Sequence, residues 1–92
     1  MNTEPKLTPY AATCAVFSAT LAMEELLAHG RSFKITRSTD NALFISVHDT
    51  GEQSELFKWR INCNRLRTDS AVADAASELK TALRQAGLLI HP

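Results

Sequence analysis

From Arg31 to Cys63 the chain alternates apolar and polar side chains with a period of two. Phe33 and Ile35 alternate with Ser32, Lys34 and Thr36; Leu43, Ile45 and Val47 with Phe44, Ser46 and His48; Phe57, Trp59, Ile61 and Cys63 with Lys58, Arg60 and Asn62. This is the pattern of three strands, each turning one face to a core. Ser38-Thr39-Asp40-Asn41 and Asp49-Thr50-Gly51-Glu52-Gln53-Ser54 supply turn chemistry between them, so an antiparallel meander is the expected connection.

The flanking segments have a helical period. Thr8-Pro9 starts a helix, because the hydroxyl can accept a bond from an orphan N–H and proline loses nothing at the first helical position. That helix is predicted to run to His29 and to end at Gly30. Tyr10, Cys14, Phe17 and Leu21 form one apolar row on it, and Val16, Met23, Leu26 and Leu27, with Ala12 and Ala19, form another. A one-sided surface helix shows a single row, so this one is expected to be covered on two sides. The sheet and the second helix can share that task, or a second copy of the chain can cover what they leave open. Self-association is assigned to Val16, Met23, Leu26 and Leu27. Thr68-Asp69-Ser70 offers three capping residues for the second helix, in which Val72, Ala75, Ala76, Leu79, Ala82, Leu83 and Ala86 line one face up to Gly87. Leu88, Leu89 and Ile90 then either pack back as an apolar cap or pair as a short edge strand.

The fold expected is therefore α+β, in the order α-β-β-β-α, with both helices on one face of a three-stranded antiparallel sheet. Residues 1–7 read as a flexible leader and 8–92 as a single domain. At 92 residues there is room for one core. The N-terminus lacks the basic and apolar regions of a secretion signal, and no run of about 20 apolar residues occurs. The expectation is a cytoplasmic protein without a membrane partner.

Charge alters this picture only when it is divided by segment. Ten Lys and Arg balance ten Asp and Glu, which removes the global signature of a nucleic-acid or membrane-surface binder. Residues 31–67, however, hold seven basic against four acidic residues, a net +3, while residues 1–30 carry −2 and residues 68–92 carry −1. Strand alternation places Lys34, Lys58 and Arg60 opposite the core, beside Phe44 and His48, with Arg65 and Arg67 just beyond the third strand. These seven residues form the candidate binding surface. It suits an acidic patch on a larger protein, or a single-stranded nucleic acid with phosphates on the cations and a base on Phe44.

Chemical motifs are missing: there is no phosphate loop, no H-E-x-x-H, no G-x-S-x-G and no pair of C-x-x-C knuckles. Cys14 and Cys63 both continue apolar rows and read as reduced core thiols. His29, His48 and His91 share no ligand spacing, His29 being explained by the helix dipole, and Glu24 and Glu25 point in different directions. No catalytic residue, metal site or cofactor is assigned.

The α-β-β-β-α order resembles the double-stranded-RNA-binding domain, and Thr68-Asp69-Ser70-Ala71-Val72-Ala73-Asp74-Ala75-Ala76 falls where that family begins its second helix. The resemblance implies a phosphate-gripping lysine cluster there; this chain has Ala71, Val72 and Asp74 instead, with Arg65 and Arg67 as partial compensation. The function expected is that of a small non-catalytic interaction protein that binds a larger protein or complex, such as an inhibitor or regulator encoded by a mobile element, and acts as a homodimer. A nucleic-acid-binding module using the basic sheet face is the alternative.

Overall fold

A computed structural model describes residues 5–38 and 41–90. Thr39 and Asp40 of the first predicted turn, His91, and residues 1–4 of the predicted leader lie outside the described residues. The elements follow in the order α1 (Pro9–Glu24), β1 (Arg31–Arg37), β2 (Ala42–Asp49), β3 (Glu55–Asn62), a 3₁₀ turn (Cys63–Arg65) and α2 (Asp69–Gln85). The strands form an antiparallel sheet in the order β1-β2-β3, so the chain is α+β with the predicted topology.

Register explains where the core sits. Ile35 lies opposite Ile45, which lies opposite Trp59, and Phe33, Val47 and Phe57 form the next row. These side chains share one face, and both helices pack on it. Val16 and Met23 of α1, Leu43, Ile45, Val47 and Ile61 of the sheet, and Val72, Ala75, Leu79 and Leu83 of α2 belong to a single buried cluster. Thr20 is the polar member of the buried face of α1, and its hydroxyl donates to the Val16 carbonyl at 2.7 Å, which satisfies the group without a second helix.

Both helix starts are capped as predicted. Thr8 Oγ1 accepts the Ala11 N–H at 3.1 Å ahead of Pro9, and Thr68 Oγ1 accepts the Ala71 N–H at 3.1 Å, which selects Thr68 among the three capping candidates. Leu7, which the sequence places in the leader, instead donates its N–H to the Arg67 carbonyl at 2.6 Å and packs against the core.

Three further expectations are corrected. First, α1 ends at Glu24 and not at His29. The backbone of residues 26–28 is taken up by the C-terminal segment: Ala28 N–H donates to Leu88 O at 3.0 Å and Ile90 N–H to Leu26 O at 2.7 Å, around an isolated antiparallel bridge between Leu27 and Leu89. Burial of both leucines makes this exchange favourable. Gly30, at φ +79°, then turns the chain into β1. His29 is left exposed outside the helix, away from its dipole.

Second, α1 is covered on one side only. Val16, Met23 and Leu27 are buried and Leu26 is half-buried within the chain's own core, so the residues assigned to self-association are already used. The row left outside is Tyr10, Cys14, Phe17 and Leu21, because the sheet and α2 both approach α1 from the Val16 side. Third, Cys14 is exposed and only Cys63 is buried.

Candidate functional site

The outer sheet face is assembled by the strand register. One row across it reads Lys34, Ser46, Lys58 and the next reads Thr36, Phe44, Arg60. Neighbouring strands are about 4.8 Å apart, so Lys34 and Lys58 stand roughly 10 Å apart at their backbones with Ser46 between them. Three cations thus occupy two adjacent rows that hold no carboxylate. A register shift at Val47/His48 leaves Leu56 as the extra residue of β3 and sets His48 opposite Glu55 at the edge of this surface.

Phe44 is not a bare platform. The Lys58 ammonium lies 4.7 Å from its ring centroid, a cation–π contact worth about 0.5–1 kcal/mol at an exposed site, and the ring is half-buried. Ser46, next to it, is buried among its taller neighbours. Its hydroxyl contacts the Lys34 carbonyl at 3.3 Å and His48 Nε2 at 2.9 Å. Toward the Lys34 carbonyl the hydroxyl can only donate, whereas which of Ser46 and His48 donates in their shared contact follows the imidazole tautomer. The contact links two outer-face side chains that lie two residues apart on β2.

Lys34, Phe44, His48, Lys58 and Arg60 are therefore brought together on one face. Arg65 and Arg67 are not. Arg65 lies in the 3₁₀ turn and ion-pairs with Glu78 of α2. Arg67 lines a separate cleft with Lys6, Pro9, Asn41 and Asn64 near the start of α1. Their closeness in sequence to the end of β3 grouped them with the sheet, but the 3₁₀ turn ends the strand there. Ser46 is the member of the site that sequence reasoning treated as background; its place between two lysines follows only from the register.

Among the described residues no group of three or more His, Cys, Asp or Glu converges as a metal site, and no helix is long and apolar enough to cross a membrane. The first turn of α2 carries Asp69 and no basic residue, so the position of the double-stranded-RNA-binding lysines has no cation here. Compared with known proteins, the chain matches no family model, no curated protein and no solved structure.

Proposed function

We propose that this chain is a non-catalytic interaction module whose outer sheet face docks on an acidic surface of a larger protein. The observation that carries the reading is the pair of adjacent rows, Lys34-Ser46-Lys58 and Thr36-Phe44-Arg60, in which three cations surround Ser46 and Phe44. Clustered cations of this kind steer an acidic partner and fix its register more than they add raw affinity. The Ser46 and His48 hydrogen bonds and the Lys58 contact with Phe44 hold the surface in one arrangement before binding, which lowers the entropy lost on association. A regulator or inhibitor that works by occupying another protein's surface needs nothing more than this.

Nucleic acid is the less supported ligand. Stacking a base on Phe44 requires Lys58 to leave the ring, and the face offers one aromatic residue where single-strand binders use several.

Affinity capture from the native cell with the wild-type chain and with Lys34→Glu/Lys58→Glu tests both readings. The substitutions lie on an exposed face and leave the core intact. Specific protein partners are expected to be retained after nuclease treatment and lost from the variant, a decrease of about tenfold or more in affinity. If nuclease treatment releases everything captured, the nucleic-acid reading replaces this one. If the variant captures the same proteins as wild type, the sheet face is a solvated surface.

A further inference from the structure

The cleft at the start of α1 lies apart from the basic sheet face and is independent of it. It has a volume of about 250 Å³ and sits between residues 6–12 and the end of the 3₁₀ turn, with Asn41 of the β1–β2 connection also lining it. Buried Ala12, Cys63 and Leu66 give it an apolar floor. We propose that this cleft binds a small organic anion, an apolar body of ring size that carries one carboxylate or phosphate group, held by Lys6 and Arg67.

Two cations meet there without an acid. The Leu7 N–H bond to the Arg67 carbonyl, at 2.6 Å, sets residues 6 and 67 beside each other, and both line the cleft. Other arginines have acidic partners: Arg31 pairs with Asp49 and Arg65 with Glu78, whereas no carboxylate of the described residues pairs with Lys6 or Arg67. Like charges held side by side are unfavourable, and an anion between them turns that cost into attraction. The arginine fork can also take two oxygens of a carboxylate or phosphate at once.

The neutral polar groups are set in advance. Asn41 adopts φ +64°, a left-handed conformation that asparagine tolerates, and its carbonyl accepts the Cys63 N–H at 2.9 Å, which continues the β2–β3 ladder up to the cleft. Its Nδ2 donates to Asn64 Oδ1 at 3.1 Å, and the Asn64 N–H donates to Asn62 Oδ1 at 2.9 Å. With its oxygen engaged, the Asn64 amide has its Nδ2 hydrogens to offer. Donors thus predominate on the polar side, which suits the oxygens of an anion. A volume of about 250 Å³ lies just below the roughly 300–1,000 Å³ of sites for drug-sized ligands, so the body is one ring or a short chain.

NMR titration of the full chain with phenyl phosphate, benzoate, inorganic phosphate and neutral benzyl alcohol tests each part of this. Phenyl phosphate or benzoate is expected to saturate with a dissociation constant of about 1 mM and to shift the backbone amides of Leu7, Ala12, Asn64 and Arg67, the tighter of the two naming the anionic group. Inorganic phosphate should bind at least tenfold more weakly for want of the floor contact, and benzyl alcohol at least tenfold more weakly for want of charge. Arg67→Gln is expected to weaken phenyl phosphate about tenfold and Lys6→Gln severalfold. Both side chains are exposed, and unchanged circular dichroism would show that the variants fold. The absence of a saturable shift with either organic anion up to about 50 mM overturns the proposal. So does binding indifferent to both substitutions, or inorganic phosphate that binds as tightly as the organic anions. Lys34→Glu/Lys58→Glu should bind phenyl phosphate as wild type does. If that variant loses binding, the anion sits on the sheet face and the cleft proposal fails; if it loses partner capture and keeps the anion, both readings stand.

Discussion

Asp49 shows how one side chain organises the β2–β3 connection. Its Oδ1 accepts the N–H groups of Gly51 and Glu52 at 2.9 and 3.0 Å, and its Oδ2 takes Arg31 Nη1 of β1 at 2.7 Å. The turn and the Arg31–Asp49 end of the β1–β2 pair are thus held by one carboxylate. These contacts, the Glu52 N–H foremost, hold its carboxyl below the ordinary value of 3.8 despite an opposing cost of desolvation. A folded-state value below the unfolded one means that ionised Asp49 stabilises the fold above about pH 4, and that this contribution disappears as pH falls through the folded value. Asp49→Asn should therefore lower the thermal midpoint at pH 7, with the gap to wild type closing below pH 3.8. A gap that stays constant down to about pH 2 would show that shape and not charge holds the turn.

At the level of elements, the two helices end by different means. The Gly87 N–H donates to Arg84 O and the Leu88 N–H to Leu83 O, both at 3.1 Å, with Gly87 at φ +74° and Leu88 folded back toward the buried Leu83. This is the glycine stop the sequence predicts for α2. A methyl group at position 87 would meet nothing within 4 Å, so Gly87→Ala isolates backbone strain and should cost about 1 kcal/mol in chemical denaturation. No change beyond a few tenths of a kcal/mol would mean that the terminal turn relaxes without it. In α1 no glycine intervenes; the helix stops because residues 26–28 gain more by bonding to residues 88–90 and burying Leu27 and Leu89. Gly30, read from the sequence as the helix stop, instead serves the entry into β1 and accepts the Thr50 N–H at 2.8 Å.

For the whole molecule, thinness governs exposure. The Cα positions span 47 × 29 × 17 Å, one helical layer on one sheet. Each layer has one face inside and one outside, so a helix with two apolar rows must show one of them, and a sheet must show its basic side. The exposed α1 row faces away from the sheet.

The alternation in residues 31–63 determined the three strands and their inner faces, because a period of two leaves one way to bury Ile35, Ile45, Trp59 and Ile61 together. Thr8, Thr68 and Gly87 likewise declared their helix boundaries through local backbone chemistry. The basic residues of the outer face were legible as far as the strands extend, and Arg65 and Arg67 were misplaced where the 3₁₀ turn begins. Tertiary structure alone decided which row of α1 is inside, since Val16 and Phe17 are equally apolar and differ only in what approaches them. It also decided the end of α1 and the burial of Ser46 between Lys34 and Lys58, because both depend on contacts between residues far apart in the chain, which no local period encodes.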